Sequence, residues 1–381
     1  LPLPPDTRHL AHPFHPPDHP MDIERARRIL LCLRYGIGDV VMELPVLDAL
    51  RRRAPNSRLT VLGAPPALSL LEGDDRVDEL VSIARFGLTH RWDRGTAAGR
   101  AAIARWLDSA NFDLLVDVHH AATAVGEVVR GRGIRTLEAS EEAERAAVAA
   151  GHGAVAAIHA AVRDGWGIDV PDGALPRIAL RDEEIAAARA FLDRRRISGV
   201  PAALSPEASA PLKRWPPERF AALADWLVER TGTPVLVFHG PDSGIADAIR
   251  SAMRAPEHMF SAGALPLRHV AALLAHSAIL VANDTGLLHL AAAVGTPVIG
   301  IFGPSNPYIY RPPADHAIAL VDQDLCCPHR VTTSLQPPGC WNEERCLIAE
   351  RSCVERVPLS AVLNVADTLL RPHHPTQTFP P

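Results

Sequence analysis

The chain contains a single lysine, Lys213; every other member of its 39 basic residues is arginine. Against 44 acidic residues they leave a net charge of -5. That balance excludes the basic electrostatic footprint of a nucleic-acid binder, so no nucleic-acid partner is expected. Long apolar runs are missing too: none approaches the ~20 residues needed to cross a bilayer. Residues 1–20, LPLPPDTRHLAHPFHPPDHP, hold no apolar stretch of the kind a secretory signal carries. The expectation is a cytoplasmic protein with a disordered, Pro- and His-rich tail over residues 1–20 and a folded chain from Met21 onward. What the chain does have is size. Its 381 residues, 47% of them hydrophobic, are enough for two cores.

Along the chain, short apolar runs alternate with helical spacing. Residues 28–33 form a compact strand, residues 34–39 a Gly-bearing loop, and Val40, Leu44 and Leu47 mark one face of a helix. Gly36-Ile37-Gly38 has no third glycine at the required place, which speaks against a Rossmann dehydrogenase. Asp39, just after these glycines, suits a helix cap. A strand at 59–62 follows, then a helix around 100–107 and a strand at 112–118 that ends in Asp117, His119 and His120. The two histidines are candidates for an acceptor side or for a hydrogen-bonded loop. Residues 138–161 read as helices flanking the sheet, and residues 165–176, with two prolines and three glycines, as a domain linker.

Beyond the linker, residues 181–196 run from acidic to basic, as a helix dipole favours. A strand from residue 202 enters a loop carrying Ser209 and Lys213, and Trp215-Pro216 precedes a helix over 218–230. The apolar run at 278–282 is a core strand that Asn283-Asp284-Thr285-Gly286 terminates. The helix that follows offers free N–H groups and the positive end of its dipole to an anion, and His289, at i+4 from Thr285, shares that face. Residues 298–302 close the βαβ unit, so the turn lies at the carboxyl edge of a parallel sheet, where open α/β folds bind ligands. A lone Asp-Thr-Gly also suits an aspartic protease, but that motif belongs to an all-β chain.

Asp284-Thr285-Gly286, then His289-Leu290-Ala291-Ala292-Ala293, Gly295-Thr296-Pro297 and Phe302-Gly303-Pro304 resemble the donor-binding signature of glycosyltransferase family 9, the ADP-heptose:lipopolysaccharide heptosyltransferases. The resemblance covers most of residues 28–370. It implies an α/β chain of GT-B fold, two Rossmann-like domains facing a central cleft. The acceptor-side domain would span residues 21–170 and the nucleotide-sugar-binding domain residues 177–357. A C-terminal helix over 358–371 would return to the first domain, leaving a tail at 372–381. The implied enzyme is an inverting glycosyltransferase that moves heptose from ADP-heptose to a lipopolysaccharide core, needs no cofactor for its chemistry, and works in the cytoplasm or peripherally on the inner membrane.

Residue by residue, the resemblance puts Asp39 in the slot of the catalytic base. It puts Ser209 and Lys213 on the donor diphosphate, Leu265 on the adenine, and Asp284, Thr285, Gly286 and His289 on the donor sugar and phosphates. The lone lysine strengthens its own case, since an otherwise all-arginine chain keeps it where a compact ammonium is wanted. One departure stands out. Family members carry a ribose-holding glutamate after the strand equivalent to residues 235–238, where this chain reads Asp242-Ser243-Gly244. Two rivals therefore stay open: a related transferase using another NDP-sugar or a protein acceptor, like the autotransporter heptosyltransferases, and a non-catalytic binding subunit.

The cysteines cluster. Cys326, Cys327, Cys340, Cys346 and Cys353 fall within 28 positions, with His329 among them. In a reducing compartment this segment, 326–353, favours metal over disulfides, although its spacing matches no standard zinc module. A structural Zn or Fe ion on Cys327, Cys340, Cys346 and Cys353, with Cys326 or His329 as a substitute, and thiols without metal are both open.

Overall fold

The structure is a computed structural model, and it describes residues 22–34, 36–88, 95–118, 124–240, 244–322, 340 and 343–371. Strands β1 (Arg28–Cys32), β2 (Arg58–Gly63), β3 (Glu79–Ser82), β4 (Leu114–Asp117) and β5 (Arg135–Glu138) form one sheet in the order β3-β2-β1-β4-β5. Strands β6 (Ala202–Ser205), β7 (Val235–Val237), β8 (Met259–Ser261), β9 (Leu280–Asn283), β10 (Val298–Phe302) and β11 (Ala317–Val321) form the other, in the order β11-β10-β9-β6-β7-β8. All pairings are parallel. Both sheets are doubly wound, the second with the full Rossmann strand order, and this is the GT-B architecture that the resemblance implied.

In each sheet the strand order reverses at one place, between β1 and β4 in the first and between β6 and β9 in the second. Ligands of such sheets bind at the carboxyl ends beside that reversal. The central strands bury every residue or all but one, as expected of strands covered by helices on both faces.

The two sheets meet through helices. The helix Gly286–Ala293, which follows β9, packs on the helix Ile37–Arg53, which follows β1, and one apolar cluster joins Ile37, Val40 and Leu44 to Leu288 and Leu290. The approach is close enough to require glycine on both sides. A Cβ on Gly286 would lie 2.7 Å from Ile37 Cβ and 2.9 Å from the Gly38 nitrogen, and one on Gly38 would lie 3.1 Å from the His289 ring.

A segment without helix or strand connects the helix Ala154–Trp166, packed on the first sheet, to the helix Asp182–Arg194, packed on the helix Leu267–Ala275. Arg268 ties this connection down. Its guanidinium donates to Leu70 O (2.6 Å) in the first domain, to Ala179 O (2.7 Å) in the connection, and to Glu184 Oε2 (2.8 Å). Burial works to raise the Glu184 carboxyl, but the hydrogen bonds from Arg268 and Arg181 outweigh it and hold the group down to about 2.

One expectation fails. The C-terminal helix Leu359–Leu370 does not return to the first domain. Its buried side chains, Val362 and Ala366, enter the cluster formed by Trp215, Phe220 and Leu223, and Asp367 pairs with Arg230 at 2.7 Å. The reason is local: Trp215 Nε1 donates to Val357 O (2.9 Å), which delivers the chain onto the outer face of the second sheet, where its apolar stripe is covered. The tails at 1–20 and 372–381 lie outside the described residues. Among the described residues, no helix is long and apolar enough to cross a membrane.

Candidate active site

In the second domain the site is built on Asn283, the last residue of β9 and fully buried. Its amide nitrogen donates to Pro206 O (2.6 Å) and its amide oxygen accepts from the Trp215 nitrogen (3.1 Å). An unsatisfied amide in this position would be costly, so these bonds fix the loop after β6 against the end of β9. The consequence is that Lys213, in the single turn Pro211–Lys213, meets Asp284: Nζ lies 2.6 Å from Oδ2, with both side chains under a tenth exposed. The pair sits where the strand order reverses. A buried ion pair seldom adds net stability, so its presence at that place points to function.

The helix Gly286–Ala293 begins beside the pair. Thr285 is its N-cap in extended conformation (φ -149°, ψ 163°), yet its hydroxyl makes no capping bond. The positive end of this helix, packed beside Ile37 and Gly38 of the first domain, therefore has no side-chain cap. His289, one turn in, is buried; burial holds its imidazole below the ordinary range, with Lys213 adding to that, while the Asp284 and Asp39 carboxylates pull the other way. A neutral imidazole can both donate to and accept from a sugar hydroxyl. Gly286 serves the close approach of the domains as well as the turn.

From the first domain comes Asp39, at the third position of the helix Ile37–Arg53 and half-buried. Its Oδ2 accepts from the Gly36 nitrogen at 3.1 Å, so it does cap the helix. Its charge nevertheless reaches His289 and Tyr310 of the second domain. Behind it stands a buried cluster. The Arg34 nitrogen donates to Glu43 Oε2 (3.0 Å), and its guanidinium reaches Glu144 Oε1 (2.7 Å). Burial pushes the Glu43 carboxyl up to about 8, against the pull of Arg34 and helped by nearby Asp39. Tyr310, from the second domain, joins the same space: burial, then the Asp284 and Asp39 carboxylates, push its phenol up to about 12, so it stays a neutral donor.

Glu43 carries a pH signature. Its carboxyl keeps its proton in the folded state up to about 8 but loses it near the ordinary 4.5 once unfolded. Between those values the unfolded chain binds fewer protons, so stability falls as pH rises. Glu43→Gln should keep the bond from the Arg34 nitrogen and remove this slope. Melting curves at pH 5 and pH 8.5 check it: the wild type should lose ground to the variant as pH rises, and parallel curves would contradict the assignment.

The structure thus brings together Asp39, Lys213, Asp284, Thr285, Gly286 and His289. Ser209 is exposed on the loop before Lys213. Leu265 is half-buried and packed on the core, following β8 at the far edge of the sheet. His119 and His120 lie outside the described residues, as do Asp242, Cys326, Cys327 and His329. Cys340 is buried while Cys346 and Cys353 are half-buried, and among the described residues no three metal-binding side chains gather into a group. Of the proposed metal ligands that are described, none therefore forms a site unaided. Sequence reasoning missed Asn283, Arg34, Glu43, Glu144 and Tyr310. Only Asn283 carried a signal, an amide ending a wholly apolar strand.

The family model described as Glycosyltransferase family 9 (heptosyltransferase) matches residues 114–338. Among characterised proteins, lipooligosaccharide heptosyltransferase 2 of Haemophilus influenzae is 34% identical over 122 residues, covering 30% of this chain and 35% of the relative. Lipopolysaccharide heptosyltransferase 2 of Escherichia coli is 32% identical over 114 residues, 29% of this chain and 32% of the relative. The aligned stretch thus spans about a third of these relatives' length. Solved structures are similar over far more of the chain. A glycosyltransferase family 9 protein from Veillonella parvula superposes with TM-score 0.71 at 22% identity, covering 90% of this chain and 97% of that one. The E. coli ADP-heptose heptosyltransferase II superposes with TM-score 0.63 at 19% identity, over 90% and 98%. The iron-containing dodecameric glycosyltransferase TibC of enterotoxigenic E. coli reaches 0.51 at 14% identity, over 91% and 79%. A family model matched over more than half of the sequence, on the segment that bears Lys213, Asp284 and His289, establishes that this chain belongs to glycosyltransferase family 9.

Proposed function

We propose that the protein is an inverting glycosyltransferase that moves a heptose from ADP-heptose to a lipopolysaccharide core acceptor. The observation that carries this reading is the buried Lys213–Asp284 pair at the strand-order reversal of the second sheet, beside a histidine, His289, on which the charges of Asp284, Lys213 and the first domain's Asp39 all act. The donor diphosphate would lie along the positive end of the helix Gly286–Ala293, touching Lys213, Ser209, the Thr285 hydroxyl and the Gly286 N–H. Asp284 and His289 would orient the sugar. Asp39 would take the proton of the attacking acceptor hydroxyl as that oxygen bonds to the anomeric carbon from the face opposite the diphosphate. The carbon–oxygen bond to the diphosphate breaks in the same displacement, and the charge that develops on the leaving group falls among the cationic and N–H donors. No step in this scheme calls on a metal or cofactor.

The acceptor places the enzyme in the cytoplasm, in contact with the inner membrane surface where a lipid-linked core is built. The cysteine segment is given no part in the chemistry. Elemental analysis of protein purified without chelators separates a structural Zn or Fe ion, at about one equivalent, from metal-free thiols.

The test is chemical. A strain lacking the protein should make a core truncated by one heptose, seen by mass spectrometry, and the purified protein should restore it in vitro from ADP-heptose with release of ADP. An unaltered core, together with no ADP release, would overturn the reading.

A further inference from the structure

The helix that carries Asp39 is tied twice to the chain entering it. Glu43 stands one helical turn beyond Asp39, and helical side chains lean toward the N-terminus, so both carboxyls reach back to the entering chain. Asp39 Oδ2 accepts from the Gly36 nitrogen at 3.1 Å, and Glu43 Oε2 accepts from the Arg34 nitrogen at 3.0 Å. The Arg34 guanidinium enters the same space. Its Nε lies 3.4 Å from Glu43 Oε1, an oxygen with no hydrogen-bond partner among the described residues, and its Nη2 donates to Glu144 Oε1 at 2.7 Å. Glu144 comes from another element, the helix Glu141–Ala149. Both glutamates are buried and the arginine side chain is only 14% exposed, so this cation acts with little screening by water.

We propose that Arg34 is the positioning residue of the base: clamped between Glu43 and Glu144, it fixes the chain that Asp39 caps and keeps a cation beside the Asp39 carboxylate. This rests on the glycosyl-transfer reading given above, in which Asp39 takes the acceptor's proton. The charges fit the geometry. Burial lets Glu43 keep its proton up to about 8, so at neutral pH the Arg34 cation is divided between two carboxylates, Glu144 and Asp39, which both act on it. Two groups of the second domain also feel Asp39. Burial keeps His289 a neutral imidazole at that pH, and burial likewise keeps Tyr310 a neutral phenol up to about 12. Asp284 acts on both of them, and Lys213 is paired with Asp284. Of these groups Arg34 is the one that brings a positive charge to the first domain's side of the site, and a neighbouring cation favours a carboxylate over its acid.

The pH profile of kcat/KM, measured from pH 4 to 9 with ADP-heptose and the truncated core, tests this. Arg34→Gln removes the cation and should move the acid limb to higher pH by about one pH unit, the lower end of what a neighbouring charge does. Glu144→Gln keeps an oxygen for the guanidinium but removes the competing carboxylate, and should move the limb to lower pH. The double variant removes one charge of each sign and should place the limb between those of the single variants. Arg34→Lys keeps the charge and should keep the limb near its wild-type position. A purely structural role would lower rates without moving the limb in opposite directions. Limbs that coincide with the wild type in both single variants, or that move the same way in both, would overturn the assignment and leave glycosyl transfer standing. If Arg34→Gln does not fold, Glu144→Gln decides alone, and a limb that stays in place or moves upward overturns the assignment. Absence of turnover by the wild type would overturn the glycosyl-transfer reading and this assignment with it.

Discussion

Asp39→Asn should lower turnover by at least ~100-fold while leaving the affinity for ADP nearly unchanged. The size follows from the usual contribution of a general base, and the split between turnover and binding follows from geometry. Asp39 belongs to the first domain, whereas the residues assigned to the diphosphate belong to the second. The substitution also separates two roles that one carboxylate fills. Asparagine retains an oxygen to accept from the Gly36 nitrogen, so the 3.1 Å capping bond survives and the melting temperature should hold. Steady-state rates and ADP titration of the variant decide the matter. Near-normal turnover would leave Asp39 as a cap alone.

Lys213→Met should damage binding and folding together. Removing the ammonium strips the diphosphate of its cation and leaves Asp284 buried without this partner, a situation that costs about 3–5 kcal/mol when a buried pair is broken. The double variant Lys213→Met with Asp284→Asn removes both charges and should recover much of that stability without recovering ADP binding. Lys213→Arg should restore binding only in part, because a planar fork replaces a point charge in a space under a tenth exposed. Thermal melting and ADP titration of the three variants separate the effects. If Lys213→Met binds ADP like the wild type, the diphosphate is held by the Asp284–Gly286 turn alone.

Much of this molecule could be read from residue order, and what could not has physical causes. The strands anticipated from the sequence are β1, β2, β4, β6, β7, β9 and β10, the interior strands, whose burial on both faces writes them as continuous apolar runs. The four edge strands, β3, β5, β8 and β11, were not anticipated. Their mixed burial gives neither a run nor a clean alternation. The helix Leu359–Leu370 was legible as an amphipathic helix, but periodicity says nothing about which sheet covers the stripe.

The same limit applies within the site. Lys213 and the Asp284–Gly286 turn were found by composition and motif, yet their meeting is invisible across 71 positions until β6 and β9 are neighbours. Asp39 suits both a cap and a base; the structure realises the cap and leaves the carboxylate near enough to His289 and Tyr310 for its charge to act on both. Arg34, Glu43 and Glu144 meet only through the packing of three separate elements.

On the proposed reading, Asp39 and the diphosphate site stand on opposite walls of one cleft. A crystal structure of the protein with ADP tests it most directly. The diphosphate should lie within hydrogen-bond distance of Lys213 Nζ, the Thr285 hydroxyl and the Gly286 N–H, with the Asp39 carboxylate across the cleft. ADP bound elsewhere on the chain, with Lys213 still paired to Asp284 and no phosphate beside it, would contradict the account.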